Sequence, residues 1–310
     1  MQILAGVGKG VSRVSVAGYF AGGNDSLGAT NIIDKITFPA NTRTTLAATL
    51  TTARELLAAM ADSGVAGYFA GGFGPGRRSD IDKITFPADT KSTLGVTLTS
   101  ARYALAGMAN SGVAGYFGGG IDTGILDGID KITFPADTKS TLAATLSSIR
   151  YLLGAMANSG VAGYFGGGQT SAGVKISGID KITFPADTKS TLAATLSTAR
   201  NNLGNGAADV GVAGYIAGGQ DSGGNISGIE KVSFAADTRT TLSATLTNAR
   251  YLVGGMADSG VAAFFGGGNG GGLLDGIDRI AFPADTKTTL AATLSSAREA
   301  GAGMADCGVF

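Results

Sequence analysis

The 310-residue chain has no histidine, no tryptophan and one cysteine, Cys307. Without histidine there is no Ser–His or Cys–His couple, no imidazole metal ligand and no imidazole general base. One thiol can build neither a thiolate metal centre nor a disulfide within the chain. Basic and acidic residues number 23 each, so no cationic excess exists to neutralise phosphates, and nucleic acid is excluded as a partner. The Arg77-Arg78 pair is the one basic cluster. The uncharged run over residues 103–121 is interrupted by Asn110-Ser-Gly and by further glycines, so it reads as two buried strands and not as a membrane span. The first residues, Met1-Gln-Ile-Leu-Ala-Gly, lack the charged-then-apolar order of a secretory signal. Nothing points to a cofactor. The paired carboxylates of a glycan-processing enzyme are permitted by composition, but the aspartates recur identically in every repeat, as structural residues do.

What is abundant is glycine, with 52 residues, and it is periodic. A Gly-Tyr-Phe-Ala/Gly-Gly-Gly motif begins at Gly18, Gly67, Gly115, Gly163 and Gly214, and recurs as Ala263-Phe-Phe, at steps of 49, 48, 48, 51 and 49 residues. Six copies at this period describe a closed array of like units.

Each unit holds four apolar stretches separated by turn residues. Ile129, Lys131 and Thr133 alternate with Asp130, Ile132 and Phe134, and Leu142, Ala144 and Leu146 alternate with Thr141, Ala143 and Thr145. Both are the period of a strand. Asn/Asp-Ser-Gly and Phe-Pro-Ala-Asp-Thr supply turns, and a glycine triplet ends the second stretch. Four antiparallel strands, A to D, per unit and six units in a ring predict an all-β, six-bladed β-propeller over residues 14–310, with residues 1–13 as an arm. Leu142, Leu146, Ile149, Leu152 and Met156 also fit helical spacing, which keeps a hairpin-plus-helix solenoid as the rival. The C-terminal Gly303-Met-Ala-Asp repeats strand A, so the last strand is predicted to complete the first blade. Met60, Met108, Met156, Met256 and Met304 share one repeat position and read as core filler.

The six copies vary mainly in the B–C loops, at residues 24–31, 73–80, 121–128, 169–178, 220–228 and 269–276. In an up-and-down blade these lie on the same face as the D–A connections, leaving the opposite face uniform. Variable loops on a rigid scaffold suit binding, and Asp25, Phe73, Arg77, Arg78, Asp122, Lys175 and Asp221 are the candidate contacts. The loop Asp122–Asp127 could offer oxygen ligands to calcium, although ordinary turn chemistry also explains it. Gly22, Gly71, Gly119, Gly167, Gly218 and Gly267 are read as scaffold. So are Arg54, Arg102, Arg150, Arg200, Arg250 and Arg298, expected to pair across blades with the aspartates of strand C.

The order of arginine, apolar strand, aromatic plus double glycine (Gly22-Gly23, Gly71-Gly72, Gly119-Gly120, Gly167-Gly168, Gly218-Gly219, Gly267-Gly268), Ile/Val strand, polar turn and leucine strand resembles the kelch repeat over nearly the whole chain. The strand-D tryptophan of kelch is replaced by Leu142-type residues, and the Tyr-Asp ending strand C by Thr-Phe-Pro. The variant with Gly-Tyr-Phe-Gly-Gly-Gly, Ile-Asp-Lys-Ile and Ser-Ser-Ala-Arg resembles repeats in virion proteins of aquatic bacteriophages and in some bacterial surface proteins. That resemblance implies a non-enzymatic, multi-copy virion component (tail, fibre or capsid decoration), contacting other virion proteins and a host-surface glycan or protein. The alternatives are a bacterial cell-surface or secreted adhesin and, more remotely, a glycan-processing enzyme.

Overall fold

A computed structural model describes residues 17–306; the expected arm and Cys307 fall outside them. The described residues form six four-stranded antiparallel blades and no helix, which removes the solenoid alternative. Blade 3 has strands A to D at Ala106–Asn110, Ala114–Gly118, Ile129–Thr133 and Thr138–Thr141. The run at 103–121 is thus two buried strands, as its composition predicts. The ring closes on blade 1, where the C-terminal strand Ala302–Ala305 pairs with Ala17–Ala21, placing Met304 opposite Tyr19.

Strand D differs from expectation. It is the threonine segment Thr138–Thr141, and the alternating Leu142–Leu146 stretch lies beyond it. Beyond Thr141 the chain bends, and the bonds from Leu142 N to Ile129 O and from Leu146 N to Asp127 O continue the pairing irregularly. Only in blade 5 does the strand run on, as Thr238–Thr245, with a register shift at Gly228/Glu230 absorbing the mismatch.

Strand B is buried throughout, and its two faces serve two joints. On one face Met108, Tyr116 and Lys131 are cross-strand neighbours; on the other are Phe117 and Asp130. Phe117, Ile132 and Phe134 of blade 3 pack against Met60 and Tyr68 of blade 2 in one core cluster. Burying such a side chain contributes about 1.5–3 kcal/mol, so every joint is itself a core. A Cβ at Gly115 would overlap the Met60 sulfur, and the same holds for Gly67 with Met304, Gly163 with Met108, Gly214 with Met156 and Gly18 with Met256. The glycine of the motif is therefore the socket for the preceding blade's methionine. Blade 5 carries Ala207 at the methionine position, opposite Tyr215, and blade 6 accordingly carries Ala263 in place of glycine.

Five of the six joints also have a polar clamp. Tyr68 Oη donates to Asp137 Oδ1 at 2.8 Å, and Lys83 Nζ to Asp137 Oδ2 at 2.6 Å, gripping the C–D turn of the next blade. The same trio recurs as Tyr19–Lys35–Asp89, Tyr116–Lys131–Asp187, Tyr164–Lys181–Asp237 and Tyr215–Lys231–Asp285. Burial, then the adjoining aspartate, pushes all five phenols well above the ordinary tyrosine range. At the sixth joint, between blades 6 and 1, the positions are held by Phe264, Arg279 and Asn41. The ring stack survives there as Phe38 on Phe264, with centroids 4.8 Å apart. The clamp does not, because phenylalanine cannot donate and asparagine carries no charge.

Candidate binding face

The D–A connections and B–C loops share one face, shown by the bridges Glu55↔Phe73, Tyr103↔Ile121 and Tyr151↔Gln169. The A–B and C–D turns meet on the other, where Phe134 N donates to Val113 O at 2.8 Å. That second face is repeat-uniform. Its A–B turns are linked blade to blade, with Gly112 N donating to Asp62 Oδ1 and Gly160 N to Asn110 Oδ1. Val65, Val113, Val161, Val212 and Val261 are exposed on these turns.

The variable face is fixed by the six buried arginines. Arg102 Nη2 donates to Asp130 Oδ2 at 2.9 Å and to Phe117 O at 3.0 Å, inside the blade that its connection enters. Asp130 also accepts from Thr99 N and Oγ1 and from Thr141 Oγ1. The equivalent ion pairs are Arg54–Asp82, Arg150–Asp180, Arg200–Glu230, Arg250–Asp278 and Arg298–Asp34. The expected pairing exists, but the arginine joins its own incoming connection to strand C and does not reach from strand to strand between blades. Burial alone would raise the carboxyls of Asp34, Asp82, Asp130 and Asp278; the hydroxyl, amide and guanidinium donors around them outweigh it and hold them below the ordinary range. Gly119 and its five equivalents, at φ of 62–69°, turn the chain out of strand B beneath this anchor.

The loop residues singled out from sequence divide by role. Asp25, Asp122 and Asp221 each close their own turn, accepting from Leu27 N, Gly124 N and Gly223 N respectively. The bond from Gly124 leads the causes that hold the Asp122 carboxyl below its ordinary value. Arg78 is ion-paired with Asp80 at 2.7 Å. Lys175 reaches the neighbouring loop, donating to Asp221 O. Arg77 is exposed, and Phe73, 40% exposed, tilts against Tyr103 with centroids 5.3 Å apart.

The residue after each anchoring arginine was missed. These are Glu299, Glu55, Tyr103, Tyr151, Asn201 and Tyr251, in blade order, and they stand in a ring around the axis beside the first loop residues. The signal was available: this position varies between acid, aromatic and amide immediately after a 21-residue stretch of constant length. Of the eight tyrosines in the chain, five hold joints and the other three are all in this ring. Gln169 donates to the Tyr151 hydroxyl and accepts from Asn201 Nδ2, and Asn202 donates to Gln220. Burial, and then neighbouring Glu55, raises the Glu299 carboxyl above its ordinary value although Asn269 hydrogen-bonds to it. Burial beside Glu299 raises the Tyr251 phenol.

The floor of the ring is sealed. Leu56, Ala104, Leu152, Asn202, Leu252 and Ala300 adopt φ of 51–57°. Backbone bonds run around the axis from Leu56 N to Ala300 O, Ala104 N to Leu56 O, Leu152 N to Ala104 O, Leu203 N to Leu152 O, Leu252 N to Asn202 O and Ala300 N to Leu252 O. Blade 5 has one extra residue before strand A, and Asn205 uses it to cross the axis. Its Nδ2 donates to Ala59 O at 2.9 Å and Gly303 O at 3.2 Å. Asn205 lines both a cavity of about 20 Å³ on the loop side and a funnel of about 130 Å³ on the uniform side, so it partitions the channel.

No protein-family model matches the chain, and comparison with curated proteins finds no match either.

Proposed function

We propose that the protein is a non-enzymatic binding propeller whose loop face contacts a host-surface glycan or protein, while the uniform face docks on an assembly of many copies. The observation carrying this is the division of one rigid ring into a constant face and a face where both the B–C loops and the residue after each arginine vary. Such an arrangement holds diverse side chains at fixed positions and costs little ordering on binding. Weak single contacts would add through copy number.

The assembly we favour is a bacteriophage particle, as a tail, fibre or capsid-decorating component, and this rests on the repeat resemblance alone; a bacterial surface adhesin is the alternative. Antibody labelling of purified particles and of bacterial envelopes separates them, and labelling confined to envelopes would sink the virion reading. Replacing all six B–C loops with Gly-Ser linkers should abolish adhesion to target cells. Adhesion that survives would move the binding face elsewhere.

A glycan-processing reading has one observation in its favour: Glu55 and Glu299 neighbour each other, and the second is raised above its ordinary value. Turnover of an oligosaccharide that is lost in Glu299→Gln would establish it.

A further inference from the structure

We infer that the ring formed by Glu299, Glu55, Tyr103, Tyr151, Asn201 and Tyr251 is a saccharide-binding basin centred on the propeller axis. This deepens the reading of the loop face as the binding face and rests on it.

Three observations converge. First, every tyrosine not engaged at a blade joint is in this ring, half-buried and joined by Phe73, so aromatic faces are concentrated in one place. Aromatic rings present flat apolar area with a polar tip, which suits the mixed C–H and hydroxyl surface of a sugar ring. Second, the remaining positions and their neighbours are carboxamides and carboxylates: Asn201, Gln169, Gln220, Asn269, Glu55 and Glu299. Carboxamides both donate and accept, matching hydroxyls that do the same. Third, among the described residues, the two buried side-chain oxygens without a hydrogen-bond partner are Asn201 Oδ1 and Glu299 Oε2, both ring members. Asn201 is only 5% exposed, and an unpaired acceptor at that depth is costly unless something donates to it.

The composition also selects against other ligands. No lysine or arginine belongs to the ring, so a phosphate or sulfate would meet only Glu55 and Glu299. A cation could use the tyrosines and glutamates, and tetramethylammonium is therefore the competing probe. With the floor sealed by backbone bonds and Asn205, a ligand lies across the basin and does not thread it.

The test uses the full chain labelled with fluorotyrosine and followed by fluorine NMR. The probes are a panel of neutral oligosaccharides (maltohexaose, cellohexaose, mannohexaose, chitohexaose) and tetramethylammonium as the cation. The expected result is a saturable shift of the three resonances of Tyr103, Tyr151 and Tyr251, assigned through single Tyr→Phe variants, with at least one sugar. The five joint tyrosines should stay still and report that the fold is intact. Tyr151→Ala should weaken the apparent affinity about tenfold or more, the usual loss of a central contact, while Tyr19→Phe should leave it unchanged. If no sugar moves the three resonances up to about 10 mM, the weak end of specific recognition, the basin is overturned. A response to tetramethylammonium without any response to sugar overturns it in favour of a cation cage. Adhesion to cells that is lost on loop replacement, with no sugar response, overturns the basin while leaving the binding-face reading standing.

Discussion

Asn205 Nδ2 donates to Ala59 O at 2.9 Å, joining blade 5 to the opposite blade through the axis of the ring. No other side chain bonds across the channel in this way among the described residues, and it exists because blade 5 has one extra residue before strand A. Asn205→Ala should leave the Ala59 and Gly303 carbonyls without that donor and cost about 1–2 kcal/mol. The corresponding fall in melting temperature is about 2–4 °C for a chain of this size. Calorimetry checks the first figure, and a structure of the variant should show the loop-side cavity joined to the funnel.

The alanine pair at the joint of blades 5 and 6 predicts a coupling. Ala207→Met alone should destabilise by about 1–3 kcal/mol, because the thioether meets the Ala263 Cβ. Ala207→Met with Ala263→Gly should recover most of that loss by rebuilding the socket present at the other five joints. A double-mutant cycle in urea gives the interaction energy, expected to be on the order of 1 kcal/mol or more; additive effects would contradict the socket.

The clampless joint predicts a gain. Phe264→Tyr with Asn41→Asp supplies the phenol and carboxylate that Arg279 lacks. The double variant should melt about 2 °C higher, from a partly buried hydrogen bond and ion pair worth about 1 kcal/mol. Asn41→Asp alone should do less. Hydrogen exchange by mass spectrometry should show strands of blades 6 and 1 opening first in the parent protein and no longer first in the variant.

Stability against pH follows from the anchor carboxylates. Asp34, Asp82, Asp130 and Asp278 lie below their ordinary value of 3.8 in the folded chain. Their contribution is therefore present in full above that value and is lost as pH falls through the lower folded values. Glu299 acts oppositely. Its raised carboxyl favours the folded state while protonated, and that part is lost as pH rises above 4.5 through the folded value. Urea titrations across acid pH should show Asp130→Asn flattening the acid limb while lowering stability at neutrality by about 3–5 kcal/mol, because Arg102 is left buried without its carboxylate. Glu299→Gln should gain at neutrality.

Blade number, strands A to C and the ring closure were legible because each rests on a signal that repeats. The period, the Ile-Asp-Lys-Ile alternation and the C-terminal copy of strand A all recur. Strand D was misplaced because Leu142, Ala144 and Leu146 alternate as a strand does, yet the pairing continues past Thr141 only irregularly, in a bent chain. The methionine socket needs two blades to be seen, so from sequence Gly115 is only the start of the motif and Met60 reads as filler. Charge in a variable loop marks Asp25, Asp122 and Asp221 as candidate contacts, yet all three close their own turns. Tyr103, Tyr151 and Tyr251 each follow an arginine that ends a segment of constant length, so spacing does not mark them and only the variation of residue type at that position does.

The sixth joint gives the ring an index mark. Six joints with the same clamp would let a partner on the uniform face settle in any of six rotations. Phe264, Arg279 and Asn41 make one of those rotations unlike the others, with an arginine that has no carboxylate partner among the described residues. A partner presenting a single acid at that radius would seat in one orientation only, and every loop on the opposite face would then point in a defined direction.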